Sequence, residues 1–306
     1  MTETAYIFPG QGAQYVGMGK ELYESSVAAR KIFDAANSVL QCDFTKLLFE
    51  GPAEELKSTI NCQPAILIHS IAALRALQTH EKSLTITPRF MAGLSLGEYS
   101  ALIAAEVLEF EEGLALVRKR AQLMEEEAKK NPGKMAAVIG LDKTKLKEIC
   151  AQTGAEIANL NCPGQIVITG KAKAVDAAKE KAIAAGAKTA VDLEVSGAFH
   201  SSLMTSAGER LEKELEDIVV MEPAAAVISN VTAKPHENID HIRPNLKKQV
   251  SSSVLWEDSI RLIAADGVIT FLEIGPGKVL KGLLRRIDPK LKVHNIEKPQ
   301  DIEALP

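Results

Sequence analysis

A serine between two glycines is the residue whose position most clearly suggests chemistry. The segment 93–97, Gly-Leu-Ser-Leu-Gly, follows a predicted strand at 88–92 and precedes a predicted helix at 98–106. This order is typical of a nucleophile elbow, in which a tight turn projects the Ser95 hydroxyl away from the sheet. The helix directs its first N–H groups toward the serine, so the Leu96 N–H could donate to an oxyanion. The alternative is an ordinary glycine-rich turn.

A serine hydroxyl is a weak nucleophile and needs an adjacent base. Four of the six histidines lie in polar stretches that predict exposed positions: His80, His236, His241 and His294. His69 lies in an apolar helical run and is expected to be packed in the core. His200 lies in a loop of small residues at the seam between two predicted domains, where a cleft is expected. His200 is therefore the candidate base.

A second candidate loop, 9–14, follows the first predicted strand, 5–8. It lies at the carboxyl end of that strand, where α/β sheets bind ligands. Tyr15 stands where a dinucleotide fingerprint has its third glycine, so the loop does not match that motif. Gln11, held between two glycines, could bring its backbone N–H close to a substrate carbonyl. The alternative is a tight turn with no binding role.

Two arginines on one predicted helix, 110–130, are candidates for binding an anion. Its apolar stripe is formed by Leu114, Val117, Ala121 and Met124. At about 100° per residue, Lys119 points away from this stripe, while Arg118 and Arg120 flank it on opposite sides. Either arginine could reach inward, and the spacing does not choose between them. The alternative for both is a solvated helix face.

The last predicted helix is amphipathic, with its cations on one side. They are Lys278, Lys281, Arg285 and Arg286, and the apolar residues Val279, Leu280, Leu283 and Leu284 occupy the other side. Lys278 lies in the first turn, where the helix dipole disfavours a cation, which points to an acidic partner. The alternative is a solvated face.

Composition narrows the class of protein. The chain has 306 residues, of which 46% are hydrophobic and 25% charged, as in ordinary globular proteins. Its net charge of -4 argues against a nucleic-acid binder. The four cysteines are scattered without a C-x-x-C pair, which favours neither a disulfide framework nor a metal site. With no signal peptide and no apolar run of about 20 residues, a cytoplasmic enzyme that does not bind membranes is expected.

The order of predicted elements indicates two domains of an α/β protein. Strands and helices alternate up to the break Asn-Pro-Gly at 131–133. The segment 133–195 then follows the order β-α-β-β-α-β, which predicts an inserted ferredoxin-like domain. The flanking parts, 1–132 and 196–306, are predicted to form one large domain. Its predicted elements include a helical pattern across 21–40, a strand at 225–229, a helix at 256–265 and a final helix after 275–277.

Taken together, six segments resemble one family, the malonyl-CoA:acyl carrier protein transacylases of bacterial and plastid fatty acid synthesis. They are 7–14 (Ile-Phe-Pro-Gly-Gln-Gly-Ala-Gln), 93–100 (Gly-Leu-Ser-Leu-Gly-Glu-Tyr-Ser), 161–170, 197–200 (Gly-Ala-Phe-His), 249–256 and 273–280 (Glu-Ile-Gly-Pro-Gly-Lys-Val-Leu). The resemblance spans nearly the whole chain. It implies an α/β-hydrolase-like large domain with a ferredoxin-like insertion.

The resemblance also implies roles for the candidate residues. Ser95 matches the nucleophile and His200 its base, and the Gln11 and Leu96 N–H groups match the oxyanion hole. Arg120 matches the arginine that binds the malonyl carboxylate, which the spacing alone left open.

Three further positions are marked by the resemblance. Gln249 matches a glutamine that lines the site, and the backbone carbonyl of its loop orients the histidine. Phe199 matches the malonyl-selecting form of the motif before the histidine. Leu94 stands where many members have histidine, so local contacts at the elbow are expected to differ.

The function implied is transfer of malonyl from malonyl-CoA to the phosphopantetheine thiol of holo acyl carrier protein. No cofactor and no metal are expected, since the phosphopantetheine belongs to the partner. The expected location is the cytoplasm, or a plastid for a processed plant protein. The sequence does not determine the oligomeric state, and it is compatible with a monomer. The rival interpretations are a serine hydrolase and a non-catalytic module that docks a carrier protein.

Overall fold

The computed structural model describes residues 2–306. The strands are β1 Thr2–Phe8, β2 Ile86–Gly93, β3 Lys134–Ile139, β4 Glu156–Cys162, β5 Gln165–Gly170, β6 Thr189–Asp192, β7 Ala226–Val227, β8 Thr270–Ile274 and β9 Lys292–Ile296. The helices are α1 Lys20–Ser25, α2 Val27–Leu40, α3 Phe44–Glu50, α4 Ala53–Lys57, α5 Thr59–Gln78, α6 Gly97–Ala104, α7 Phe110–Lys130, α8 Lys143–Thr153, α9 Ala172–Ala184, α10 Thr205–Glu216, α11 Ile242–Gln249, α12 Trp256–Ala265, α13 Val279–Ile287 and α14 Pro299–Glu303. Short 3₁₀ turns lie at Glu81–Thr85, Ser202–Met204 and Ile239–His241.

The larger sheet is parallel, with strand order β7-β2-β1-β8-β9. In its register Phe8 of β1 lies opposite Gly93 of β2, and Ile7 lies opposite Glu273 of β8. The carboxyl ends of the three neighbouring strands therefore meet at one edge. The loops that follow them, 9–14, 93–97 and 275–277, lie side by side there, which is where an α/β sheet binds ligands.

Helix α5 runs through the core of the large domain. By length and apolar composition it could cross a membrane, but 89% of its most apolar 18-residue window is buried inside the fold. Leu67, Ile71 and Leu74 are among its residues with almost no exposed surface. This burial is what a core helix of a globular domain requires. His69, on the same helix, is packed in the core as expected.

The smaller sheet is antiparallel, with strand order β4-β5-β3-β6. Counted within this unit, the order is 2-3-1-4, the arrangement of a ferredoxin-like β-α-β-β-α-β motif. Helices α8 and α9 share one apolar cluster with the sheet, built from Val138, Leu146, Ile168 and Val175 among others. The α/β fold with a second, antiparallel sheet is confirmed. The domain limits 133–195, and 1–132 with 196–306, stay a prediction.

Three expectations about elements were wrong. The helical pattern across 21–40 breaks at Ser26, which is extended (φ -119°) and accepts a hydrogen bond from the Ala29 N–H as the cap of α2. The strand expected at 225–229 shortens to β7, Ala226–Val227. The chain does not end its regular structure with α13, because the edge strand β9 and α14 follow.

Candidate active site

Ser95 lies on the sharp turn between β2 and α6, with a left-handed backbone (φ 52°). A side chain at Gly93 would collide with the backbone of Gly97, and one at Gly97 would collide with the Phe8 carbonyl. The Leu94 N–H donates to the same Phe8 oxygen (3.1 Å), which joins the turn to the end of β1. The glycines are therefore required by close backbone packing, as the elbow interpretation predicts.

Asn230 holds the backbone of this turn at two points that lead up to the serine. Its Oδ1 accepts from the Ser95 N–H (2.7 Å), and its Nδ2 donates to the Gly93 carbonyl (2.7 Å). A non-glycine residue in the left-handed region costs free energy, and it persists only where the surrounding structure holds it there. These two hydrogen bonds supply that constraint.

His200 lies beside the serine, with its Nε2 2.8 Å from the Ser95 Oγ. Its Nδ1 lies 2.8 Å from the backbone carbonyl of Gln249. Because that carbonyl can only accept, Nδ1 carries the proton, and Nε2 is free to accept the serine proton. The carbonyl thus occupies the place of the acidic residue in a serine triad.

The imidazole is held in its neutral form. Burial and, to a smaller extent, the nearby positive charge of Arg120 lower the pKa of His200 to about 4, against the opposing effect of the backbone hydrogen bonds. At neutral pH the ring can therefore act as a base without first losing a proton.

Arg120 reaches the same serine from α7 and is almost completely buried. One of its terminal nitrogens lies 3.1 Å from the Ser95 Oγ and 2.9 Å from the Gln249 Oε1, and the other lies 2.5 Å from the Gln63 Oε1. Its guanidinium also lies over the ring of Tyr99, 5.3 Å from the centroid. Burial lowers the pKa of Arg120.

No carboxylate lies within ion-pair distance of this guanidinium in the part of the chain that the structure describes. Its protein acceptors are neutral side-chain oxygens, and its Nε has no partner among the described residues. A buried cation without a counter-charge favours binding of an anion. The arrangement is suited to a substrate that carries a carboxylate.

Arg118 takes a different position. It donates to the Ile60 carbonyl (2.6 Å) and to the Asn61 Oδ1 (2.8 Å) near the start of α5. The choice that helical spacing left open is therefore made by the packing of α7, which brings Arg120 and not Arg118 to Ser95.

The two proposed oxyanion donors flank the turn. A side chain at Gly10 would collide with the Leu94 carbonyl, so the loop that carries Gln11 lies directly against the elbow. Leu96 is the residue before the first turn of α6. Within residues 2–306, neither the Gln11 N–H nor the Leu96 N–H has a protein acceptor. Both are available to an incoming oxygen.

The site opens where the two sheets meet. A cleft of about 450 Å³ lies beside His200 and is lined by Lys147, Cys150 and Glu156 from the smaller domain and by 251–253 from the larger. Phe199 is buried next to His200. The placement of His200 at the domain seam agrees with the expectation from sequence. All four cysteines are free thiols, and no group of metal-ligating side chains occurs among the described residues.

Sequence reasoning missed a buried polar group behind the site. The Glu98 carboxylate accepts from the Gln249 Nε2 (2.7 Å), the Asn230 N–H (3.0 Å) and the His236 Nε2 (3.2 Å). His236 was expected to be exposed, which is wrong, because its side chain is 2% exposed. Glu98 lies in the quoted segment 93–100, but nothing in the local pattern links it to His236.

The comparisons with known proteins agree with this geometry. The model of the acyl transferase domain family matches residues 5–295. A malonyl CoA-acyl carrier protein transacylase of Bacillus subtilis is 47% identical over 308 residues, covering 99% of this chain and 96% of that protein. The chain belongs to this family. A Staphylococcus aureus protein of the same name is 41% identical over 309 residues, covering 99% and 98%.

Solved structures of the family have the same fold. The malonyl CoA-acyl carrier protein transacylase of Coxiella burnetii superposes with a TM-score of 0.95 at 37% identity, covering 99% of this chain and 96% of that one. A malonyl-transacylase solved in complex with a type II PKS acyl carrier protein gives 0.95 at 37% identity, covering 99% and 98%. The fold predicted from the sequence is thus shared over nearly the full length of these relatives.

Proposed function

We propose that this acyltransferase moves a malonyl group from malonyl-CoA to the phosphopantetheine thiol of acyl carrier protein, through a malonyl ester on Ser95. The observation that carries the proposal is the meeting of a base and a cation at one hydroxyl. His200 lies 2.8 Å from the Ser95 Oγ as its base, and Arg120 lies 3.1 Å from it with no carboxylate partner among the described residues.

In the first half-reaction His200 takes the Ser95 proton at Nε2 as the oxygen attacks the thioester carbonyl. The developing oxyanion lies between the Gln11 and Leu96 N–H groups, and one such donor contributes about 3 kcal/mol in comparable sites. Collapse of the intermediate breaks the C–S bond, and His200 returns its proton to the CoA sulfur. The product is malonyl-Ser95 and free CoA.

Arg120 accounts for the choice of malonyl. A guanidinium forms two parallel charge-assisted hydrogen bonds with a carboxylate, and Gln249 and Phe199 complete the walls of this subsite. An acetyl group would leave the buried cation unpaired, which is costly.

In the second half-reaction the carrier-protein thiol attacks the ester and His200 takes the thiol proton. The serine is regenerated when His200 returns that proton to its oxygen, which makes the cycle ping-pong acyl transfer. All the groups that act in these two half-reactions belong to the protein or its two substrates, so the reaction needs no cofactor and no metal. We also propose a cytoplasmic location, as expected from the sequence.

The test is the intact mass of the protein after exposure to malonyl-CoA, with and without holo carrier protein. We expect a malonyl adduct on the wild type, its loss on addition of holo carrier protein, and no adduct on Ser95→Ala. Steady CoA release without carrier protein would indicate a hydrolase instead. Absence of any adduct would indicate a docking module.

The carrier protein is proposed to dock on the cationic side of α13. Lys278, Arg285 and Arg286 are exposed there, and Lys281 is half-buried. Val279 is 52% exposed, so its assignment to the apolar side was wrong, whereas Leu280, Leu283 and Leu284 are buried as expected. We expect Arg285→Glu to raise the KM for carrier protein several-fold while sparing acylation by malonyl-CoA. Lys213→Glu, an exposed cation on α10, is the matched control, and equal KM values would contradict the assignment.

A further inference from the structure

Glu98 is a buried carboxylate that the reaction described above does not use. Its side chain has no exposed surface, and it accepts three hydrogen bonds, from a side-chain amide, a backbone N–H and a histidine. Burying a carboxylate is expensive unless several donors satisfy it. A buried carboxylate in the first turn of the helix that follows Ser95 calls for an explanation in terms of its partners.

Two of those partners hold the reacting groups. Asn230, whose N–H donates to Glu98, binds the Ser95 N–H and the Gly93 carbonyl. Gln249 contributes its backbone carbonyl to His200 and its side-chain oxygen to Arg120. Glu98 is thus a single hydrogen bond away from both residues that fix the serine, the base and the guanidinium.

The orientation of the Gln249 amide follows from Glu98. Its Nε2 donates to the Glu98 Oε2 (2.7 Å) and to the Ser95 carbonyl (2.9 Å), so its Oε1 must face the opposite way, toward Arg120. The reversed amide would place its oxygen against the carboxylate and its NH₂ against the guanidinium. Since both contacts would be repulsive, Glu98 and Arg120 together select one amide orientation, and the carboxylate holds the Nε2 end of the amide in place.

The same arrangement keeps the guanidinium available. Gln249 stands between Glu98 and Arg120, and the two charges form no direct ion pair within 4.0 Å. A carboxylate in direct contact would compete with the carboxylate of a substrate. Burial lowers the pKa of Arg120, and the negative charge of Glu98 is among the groups that raise it, so Glu98 stabilises the cation from a distance.

His236 holds Glu98 from the other side. The Asn245 Nδ2 lies 3.1 Å from the His236 Nδ1, and the His236 Nε2 lies 3.2 Å from the Glu98 Oε1. Because an amide NH₂ can only donate, Nδ1 accepts, and the proton lies on Nε2, directed at the carboxylate. The network therefore extends inward from His236 through Glu98 and Gln249 to Arg120.

We propose that Glu98, held by His236, is a positioning residue that fixes the Gln249 amide so that Arg120 presents its guanidinium to the substrate carboxylate. This inference rests on the proposed malonyl transfer. It separates the two acyl groups that Ser95 could accept, since a malonyl group engages the guanidinium and an acetyl group does not. Loss of Glu98 must then affect the malonyl reaction more than the acetyl reaction.

The experiment measures the rate constant for acylation of Ser95 at saturating malonyl-CoA and at saturating acetyl-CoA, by intact mass in single turnovers. For Glu98→Gln we expect the malonyl rate constant to fall on the order of tenfold, the acetyl rate constant to fall less, and the KM for malonyl-CoA to rise while that for acetyl-CoA stays the same. The KM for malonyl-CoA rises because a guanidinium that is no longer held in position binds the malonyl carboxylate less well. The matched control is Glu127→Gln. Glu127 is a buried glutamate on α7, about two turns beyond Arg120, and it accepts a hydrogen bond from the Asn131 Nδ2 (2.6 Å). Its replacement should leave both rate constants unchanged.

Equal losses with the two thioesters, or no loss, would overturn the proposal and assign Glu98 to the stability of the elbow alone. If Glu98→Gln does not fold, the pair His236→Gln and His236→Leu carries the test. The glutamine keeps a donor toward Glu98 and should retain most of the malonyl preference, whereas the leucine should lose part of it. The same preference in both variants would also refute the proposal. Failure of the wild type itself to be acylated would instead refute malonyl transfer.

Discussion

Two glycine-containing turns lie at the same edge of the large sheet. They differ in whether a side chain accepts hydrogen bonds from the N–H groups at the start of the helix that follows. After β8, the turn 275–277 leads into α13, whose first N–H groups are taken by a protein carboxylate. The Leu280 and Lys281 N–H groups donate to the two oxygens of Glu273, each at 2.9 Å. After β2, the turn 93–97 leads into α6, and the Leu96 N–H has no acceptor within residues 2–306.

The difference shows what separates a structural turn from a site built on the same design. A helix N-terminus carries unsatisfied donors and the positive end of the helix dipole. Where Glu273 fills those donors, the turn is complete without a ligand. Where the donor beside Ser95 stays open, the same geometry can receive an oxyanion. The glycines create both turns, and the neighbouring side chains decide their use.

Replacing a glycine in each turn should have very different consequences. A methyl group at Gly97 would collide with the Phe8 carbonyl, which the sheet holds in place. At Gly277 the nearest atom is 3.8 Å away, and the cost there is the positive φ of 79°. We expect Gly97→Ala to lose about 3 kcal/mol of unfolding free energy or more and nearly all acylation, and Gly277→Ala to lose about 1 kcal/mol. Urea denaturation and intact mass measure both, and similar losses would break the comparison.

The Gln11 and Leu96 N–H groups can support acyl transfer from malonyl-CoA only if Arg120 binds the malonyl carboxylate. We expect Arg120→Ala to lower acylation by malonyl-CoA about 100-fold and to increase the relative rate with acetyl-CoA, because the paired carboxylate loses its cation. Arg118→Ala, two residues away on α7, removes contacts to α5 and should affect stability without changing selectivity. Initial rates with malonyl-CoA and with acetyl-CoA measure this preference. An unchanged preference for malonyl-CoA in Arg120→Ala would contradict the assignment of Arg120 to the malonyl carboxylate.

The interaction of Glu273 with the start of α13, after the turn 275–277, should contribute to stability and not to acylation of Ser95. Glu273→Ala leaves the Leu280 and Lys281 N–H groups without their acceptor and removes one of the two acceptors of the Asn295 Nδ2. We expect a loss of about 2 kcal/mol of unfolding free energy, with acylation at saturating malonyl-CoA within about twofold of the wild type. Glu54→Ala, which removes an exposed ion pair with Lys57, should change little and is the control. A large loss of acylation without a loss of stability would place Glu273 in the site.

The smallest expected effect is on pH dependence. Since the pKa of His200 is about 4, the acid limb of acylation should lie near pH 4 and not near 6.5. The unfolded chain takes up the proton at higher pH than the folded chain, so this group makes stability fall as pH decreases from about 6.5 to 4. Rates between pH 4 and 8, with thermal unfolding at each pH, test this. Half-loss of activity near pH 6.5 in folded protein would contradict it.

Local signals in the sequence located most elements of the fold. Helices α7 and α12 were predicted at their observed limits, because a regular apolar period and charged ends define them. The break at Ser26 was missed because helical patterns continue on both sides of it, although a serine cap was the available signal. Strand β9 was missed because it is an edge strand of five residues with mixed polarity, whose formation depends on pairing with β8.

The site was predictable in its parts and not in its connections. The turn chemistry around Ser95 is local, so the serine could be found from glycine spacing. Which arginine reaches it could not, since Arg118 and Arg120 lie equally close to the apolar stripe of α7. His236 was judged by its polar neighbours in sequence, whereas its burial results from Glu98, which is 138 residues away in the chain.

The sequence by itself therefore determined the elbow, the alternation of strands and helices, and the family, because these depend on short-range patterns and on the order of motifs. Tertiary structure decided which groups meet at Ser95. It placed His200 with a backbone carbonyl behind it, left Arg120 without a counter-charge among the described residues, and buried Glu98 where it can orient Gln249. The physical reason is that burial and hydrogen bonding act between residues far apart in the chain, and the positions of those residues are fixed only when the sheet and its covering helices are packed.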